Sequence, residues 1–456
     1  MSNILQMKRH GYRFALYVIW LSSMLLYAIV PLHTVFNYNL YVLEVIVYVV
    51  AVFCYYKLKH KDNYFDFDTL FIAFCSVEHF FGFLYVNTEE FDMLFYRGID
   101  KSLVMKASLL AFVGMTSYMV GAARTERNMK LIREKVVADR QHKVLPTGLL
   151  FALFVACYAI FIYFDGLTYF AAQYKEGVGV VAGNARIFQM ISLMTVFSNM
   201  ICAKLILDYL QHGKFPKFGW IILGITAFIG IQVVMVGNRT VFSYLLLPYI
   251  LCFFAYVKNM NLVKTSVVLV IGVIAMYAIQ IIRQGGDTYS TSLFRMLSDV
   301  IVPSQTFLAS LEYVDKFGLN YGQSFLPSFF GLFPGLATFI GDSARIGSAE
   351  IFTSYLYDGT SNSGVGTTII ADIYLSFGCI GVIVLMYFLG WFVHKTWKNA
   401  LNDMLIQVSL FSTCVFMGRS AYLSPLRLIV WSVIVCWILT GLYSNGKNKK
   451  NSVLPR

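Results

Sequence analysis

Four arginines stand at or beside the ends of long apolar stretches in the second half of this 456-residue chain: Arg239, Arg283, Arg295 and Arg345. A guanidinium stays charged at physiological pH and presents a planar fork of donors that matches phosphate or carboxylate oxygens. Several at one membrane face would make an anion site suited to a lipid-borne pyrophosphate. Taken singly, each is equally an interfacial anchor snorkelling from a helix end. Arg239 stands apart: it sits in Gly237-Asn238-Arg239-Thr240, a turn of few residues between two apolar segments, where Gly and Asn suit a tight reversal.

The same region carries Asp287, Asp299, Glu312, Asp315, Asp342, Glu350, Asp358 and Asp372. Transfer to a sugar hydroxyl needs a base within hydrogen-bond reach. Asp372 is the most suggestive, because it falls inside an apolar segment where a carboxylate is expensive. Pairing with an arginine to fix the helix is its competing role. The other acids read as solvated. Gly364-Val365-Gly366, just before that segment, could form a backbone nest for an anion or a plain hinge.

These side chains need a membrane scaffold to hold them. The chain is 58% hydrophobic and only 13% charged, with mean hydropathy +0.67, and apolar segments recur at the roughly 20 residues that cross a bilayer as helix. A spanning chain must satisfy its backbone hydrogen bonds internally, and no alternating strands suggest a barrel. The reading is an all-α polytopic membrane protein of about twelve helices. Spans are expected near 13–30, 40–56, 69–86, 103–121, 145–164, 187–207, 218–236, 240–257, 265–282, 366–390, 404–418 and 424–442. The chain then divides into an N-terminal bundle (1–282), a large loop (283–365), C-terminal helices (366–442) and a basic tail (443–456).

Alternate connections are basic, including Lys57, Lys59 and Lys61, the run from Arg124 to Lys143, and Lys395 with Lys398. The positive-inside rule makes these cytoplasmic, as are both termini, and puts the large loop on the opposite face. The net charge of +12 therefore sets orientation, and nucleic-acid binding is not expected. The first apolar segment, flanked by Lys8, Arg9 and Arg13, reads as a retained signal anchor. Eight cysteines lie in or beside apolar segments and give neither a disulfide framework nor a zinc pattern.

Within the large loop, Leu293, Met296, Leu297, Val300 and Ile301 mark one face of a helix over 292–314. The stretch 325–340, broken by Pro327, Gly331, Pro334 and Gly335, reads as an interfacial or re-entrant helix. Both would lie on the membrane surface over a cavity. Elsewhere, Asp66-Phe67-Asp68 has the spacing of a metal-binding pair but is better explained by Asp68 as a helix N-cap. His33 and His79, the latter beside Glu78, read as structural.

Three motifs carry a family resemblance: Gly237-Asn238-Arg239-Thr240 between two spans, Tyr321-Gly322-Gln323-Ser324 followed by Pro334, and the run from Gly364-Val365-Gly366 through Asp372 and Tyr374 to Gly378. Together they resemble the O-antigen polymerases of the Wzy type. The position held by Asp372 is commonly Glu in that pattern. The resemblance implies a GT-C-like, lipid-dependent glycosyltransferase at the periplasmic face of a Gram-negative inner membrane, needing no cofactor and no metal. It would pass a chain on undecaprenyl pyrophosphate to a new lipid-linked unit, alongside a chain-length regulator and a flippase. On that basis Arg239, Arg283 and Asp372 are the candidate catalytic residues. Arg295, Tyr321, Asp342, Arg345, Glu350, Gly364, Gly366 and Tyr374 are candidates for substrate binding. The alternatives are a lipid-linked oligosaccharide flippase, disfavoured by the absence of repeated halves, and an O-antigen ligase, disfavoured because the large loop has no histidine.

Overall fold

The computed structural model describes residues 2–59, 61, 63–89, 91, 100–125, 146–176, 185–236, 238–283, 297, 301, 304–333, 336, 346–357, 365–397 and 399–453. These form helices and no strand. In chain order the helices are α1 (Ser2–Ile29), α2 (Tyr38–Leu58), α3 (Phe67–His79), α4 (Val104–Ala123), α5 (Thr147–Tyr163), α6 (Gly166–Glu176), α7 (Ala185–His212) and α8 (Lys217–Met235). Next come α9 (Arg239–Tyr256), α10 (Leu262–Arg283), α11 (Ser304–Phe317), α12 (Leu326–Gly331), α13 (Ser348–Tyr357), α14 (Ile369–His394), α15 (Ala400–Thr413) and α16 (Ser424–Val453). Among the described residues nine helices are long and apolar enough to cross a membrane, or ten if a bent pair counts as one span.

The difference from twelve falls on three segments. The first, α5, stops at Tyr163 and continues as α6 after a 55° bend, where Asp165 adopts a positive φ of 55°. The second, α10, is 22 residues long, and the apolar stretch among its described residues is Leu262–Ile274. The third, α15, is 14 residues long, short of the roughly 20 needed.

Short polar side chains start the helices. Asn37, Asp66, Asn238, Thr368 and Asn399 each accept a hydrogen bond from a first-turn N–H of the helix that follows, satisfying donors that a helix start leaves open. The cap of α3 is thus Asp66, which accepts from Thr69 N–H at 3.0 Å, and not Asp68.

Asp68 instead anchors a buried network at the lysine-rich end of the bundle. Its carboxylate accepts from Tyr55 Oη at 2.8 Å and Tyr118 Oη at 2.5 Å and pairs with His394 Nε2 at 3.0 Å. Lys61 Nζ lies 2.8 Å from Asp66 and 3.8 Å from Asp68. Four helices, α2, α3, α4 and α14, are tied there by one carboxylate, which has the partners a buried charge requires.

At the centre α4 is almost wholly enclosed, with α14 as its main neighbour. The two cross where each has a glycine: a Cβ on Gly121 would meet the Tyr387 carbonyl, and one on Gly390 the Tyr118 carbonyl. Small residues that let helix backbones touch are the usual way of packing where lipid supplies no hydrophobic driving force. The large loop contributes α11, α12 and α13. Residues Ser304 to Leu311 of α11 are all buried, so this helix is packed into the bundle against α14 and does not lie on its surface. Gly82 makes the space, since a Cβ there would sit 2.8 Å from Ile301 Cγ2.

Candidate active site

Opposite the lysine-rich end, two of the sequence motifs meet on one broken helix. The chain of α14 is interrupted at Gly378, whose φ of 64° and ψ of −161° are non-helical and readily adopted only by glycine. The break frees the Leu375 carbonyl, which accepts from Asn320 N–H at 2.9 Å. Tyr321 (φ 47°) and Gly322 (φ 85°) then turn the chain, and Ser324 Oγ hydrogen-bonds Ser376 Oγ at 2.7 Å. A Cβ on Gly322 would lie 3.2 Å from Phe377 Cζ, so only glycine fits easily there. Phe325 packs edge-on against Phe377. The Tyr321–Ser324 motif and the Asp372–Gly378 motif are therefore two sides of one junction.

The segment between α15 and α16 forms the third side. Ile369 N–H donates to Gly418 O at 2.8 Å, and Asp372 Oδ2 accepts from Tyr422 N–H at 2.9 Å. Asp372 is 1% exposed; its Oδ1 has no partner in hydrogen-bond geometry, although the Ser348 hydroxyl, directed to Thr367, lies close enough to interact with the carboxylate. A buried oxygen of this kind is costly unless a ligand, water or proton serves it. The Tyr422 ring stacks on Phe325 at 6.0 Å, and its hydroxyl donates to Leu385 O at 2.9 Å.

A second buried carboxylate faces the same segment. Glu78, on α3, is fully buried, with both oxygens lacking a hydrogen-bond partner. A Cβ on Gly418 would collide with its Oε2, and the Arg419 guanidinium is close enough to interact with it electrostatically. Among the described residues, Cys75, Glu78 and His79 form a group that could hold a metal ion, with ligand atoms within 4.8 Å of one another. His79 Nδ1 lies 3.0 Å from Cys75 O, which leaves Nε2 as the available ligand atom.

Arg239 is the first residue of α9, just after the capping Asn238. Five positions on, Tyr244 packs edge-on against Phe416 at 6.1 Å and interacts with Arg427 of α16. Arg239, Arg419 and Arg427 thus belong to one end of the bundle, the end that holds Asp372. Arg419 and Arg427 were not among the sequence candidates. The signal was present: Arg419 lies in the short gap between two expected spans, as Arg239 does, while Arg427 hides a few residues inside an apolar run.

The other candidates are dispersed. Glu350 is exposed and accepts from Gly347 N–H at 3.0 Å, one half of a capping box on α13. Tyr374 is buried on α14 with its hydroxyl 3.5 Å from that of Tyr27 on α1. Tyr321 is 82% exposed at its turn. Gly366 has a φ of 75° in the segment leading to the Thr368 cap, beside Ser348, whose hydroxyl donates to Thr367 Oγ1 at 3.2 Å. Arg283 closes α10. Arg295, Asp342, Arg345 and Gly364 lie outside the described residues, as do Asp287, Asp299 and Asp358. Glu312 pairs with Lys316 at 2.6 Å, and Asp315 lies 3.7 Å from His33 Nε2.

No curated protein and no solved structure matches this chain. The model of one family, described as O-antigen polysaccharide polymerase Wzy, matches residues 12–451, nearly the whole sequence. With two of the three motifs of that resemblance joined at one broken helix and the third, at Arg239, at the same end of the bundle, the chain belongs to the O-antigen polysaccharide polymerase Wzy family.

Proposed function

We propose that this polymerase joins oligosaccharide repeat units carried on undecaprenyl pyrophosphate, at the periplasmic face of a Gram-negative inner membrane, by an inverting and metal-independent glycosyl transfer. The observation that carries the reading is the pairing, at one end of the bundle, of permanently charged Arg239, Arg419 and Arg427 with the buried, half-satisfied carboxylate of Asp372. The lysine-rich end, with both chain termini, faces the cytoplasm in this reading.

The donor's C1–O bond to pyrophosphate breaks while an acceptor sugar hydroxyl forms the new C1–O bond. Arginines stabilise the charge that builds on the departing pyrophosphate, which is already a good leaving group, so orientation and preorganised charge supply much of the rate. Arg239 and Arg283, with Arg345, are proposed to bind it. Asp372 is proposed to take the acceptor proton, a role supported by an Oδ1 that lacks a partner in hydrogen-bond geometry. Arg295, Tyr321, Asp342, Glu350, Gly364, Gly366 and Tyr374 are proposed to hold the sugars and phosphates. A chain-length regulator and the flippase of the same pathway are the proposed partners, and inner-membrane lipids the surroundings.

The reading is tested with purified protein and polyprenyl-pyrophosphate-linked repeat units as the only sugar source. A ladder of products differing by whole repeats, with release of polyprenyl pyrophosphate, is expected. No elongation, or elongation only when a nucleotide sugar is added, would refute it.

A further inference from the structure

The helix α16 carries a charge that its packing does not explain. Arg427 is the fourth residue of this helix, inside the candidate span Ser424–Leu442, and a guanidinium there cannot shed its charge. Among the described residues it has no hydrogen-bond or ion-pair partner, and the phenol of Tyr244 on α9 is its electrostatic neighbour. An unpaired charge in a spanning helix marks either a snorkelling anchor or a site facing a polar cavity.

Helix geometry separates these. Residues four apart share a face, and Trp431, four positions on, donates its indole N–H to Gly331 O at 3.2 Å. The face of α16 that carries Arg427 is therefore the face that holds α12, not the one turned to lipid. A Cβ on Gly331 would sit 3.9 Å from Arg427 Cδ, so the arginine stem runs past the end of α12. Trp431 is 9% exposed, whereas Arg427 is exposed. The α12–α16 contact is thus closed at the tryptophan, while one turn away the arginine keeps part of its side chain open, flanked by the end of α12 and by Tyr244 of α9.

We infer that Arg427, with the Tyr244 hydroxyl beside it, forms an anion site that binds the phosphate group of a lipid-linked substrate in the cleft between α9, α12 and α16. The site rests on the polymerase reading and deepens it. A polymerase of this kind must hold two lipid-linked molecules at once, a donor and an acceptor, and each brings phosphate to the membrane face. The guanidinium fork and a phenolic donor together offer the directed hydrogen bonds that phosphate oxygens accept. The α12 end, with no side chain on Gly331, leaves room for the group to enter. An ordinary anionic phospholipid offers the same phosphate chemistry, and the test must tell the two apart.

Binding of farnesyl pyrophosphate, as a short polyprenyl pyrophosphate, is measured on detergent-purified wild-type protein, Arg427→Gln and Gly331→Leu, with phosphatidylglycerol as competitor. Gly331→Leu fills the cleft from α12 while leaving the arginine and the backbone carbonyl in place, so it covers the case in which Arg427→Gln misfolds. The expected result is at least about tenfold weaker binding for each variant, the loss of one or two charge-assisted hydrogen bonds, with the probe resisting a large excess of phosphatidylglycerol. Equal binding by wild type and both variants would overturn the assignment and leave the polymerase reading intact. Displacement by phosphatidylglycerol would also overturn it, making Arg427 a contact for bulk lipid. Failure of the wild-type protein to bind the probe at all would bring down both.

Discussion

The carboxylate of Asp372 accepts the backbone N–H of Tyr422 at 2.9 Å, across fifty positions of sequence. This bond joins the first turn of α14 to the segment carrying Arg419, and the Ile369 to Gly418 hydrogen bond fastens the same two stretches a turn away. One oxygen of Asp372 does structural work, and the other has no partner in hydrogen-bond geometry, with the Ser348 hydroxyl nearby. The fastening partner is a backbone N–H and not the arginine expected from the sequence, and it leaves the second oxygen for the proposed proton acceptance.

Asparagine at position 372 separates them. Its amide oxygen can still accept from Tyr422, while its proton affinity is lost. Asp372→Asn is expected to remain in the membrane and to lose about 10²-fold or more of its polymerising rate, the usual contribution of a general base. Initial rates of elongation with purified variants provide the check. Near wild-type rates would leave Asp372 with fastening alone.

Arg239 is the first helical residue of α9, and its cap is made by Asn238, which accepts from Val241 N–H at 3.1 Å. Removing the guanidinium leaves that cap intact. Arg239→Ala is therefore expected to reach the membrane at normal abundance, as read by immunoblot, while cells expressing it make lipopolysaccharide with a single repeat. A full ladder from this variant would remove Arg239 from the mechanism.

The crossing of α4 and α14 makes a sharp stability prediction. A methyl group on Gly121 would meet a backbone carbonyl, which cannot swing aside as a side chain does. Gly121→Ala is expected to cost on the order of 1–3 kcal/mol through overpacking, and Gly390→Ala a similar amount. Gly272 of α10, where an added Cβ meets nothing within 4 Å, is the control, and Gly272→Ala should leave stability the same or higher. Thermal unfolding in detergent compares the three, and equal midpoints would contradict the close crossing.

Much of the fold was legible in the sequence. Nine of the expected spans are helices of spanning length, because apolar runs bounded by Gly, Pro and charge report the bilayer directly. What periodicity could not convey was which helices break. The bend after Tyr163 depends on a positive φ at Asp165, and α14 breaks at Gly378 inside an uninterrupted apolar run. The burial of α11 was also hidden, since Ser304, Thr306 and Ser310 look like a solvated face until Gly82 is seen to admit them. In the site, the junction of Ser324 with Ser376 could be guessed only as motif order. Glu78, Arg419 and Arg427 gave no motif, because their meaning lies in helices brought together from distant parts of the chain. Asp68 was misread as a cap because its partners, Tyr118 and His394, are 50 and 326 positions away.

Lys59 gives a pH dependence at the opposite end of the bundle. Its ammonium donates to Thr125 O at 2.6 Å, and burial lowers its pKa from the ordinary 10.5 to about 8, with Lys61 and Arg9 adding to the fall and Asp68 and Asp66 opposing it. Between these values the unfolded chain holds a proton that the folded protein has released. Stability therefore rises as pH climbs from about 8 toward 10.5. The unfolding midpoint of purified protein is expected to follow that rise, and Lys59→Gln to flatten it. An unchanged profile in the variant would assign the dependence to another group.

The most direct measurement is lipopolysaccharide banding from a strain lacking this gene, beside the same strain complemented with the intact gene. Lipid core carrying one repeat unit in the deletion, restored to a ladder by complementation, is the predicted result. Core with no repeat at all would contradict the account, since that is the pattern left by a missing flippase or ligase.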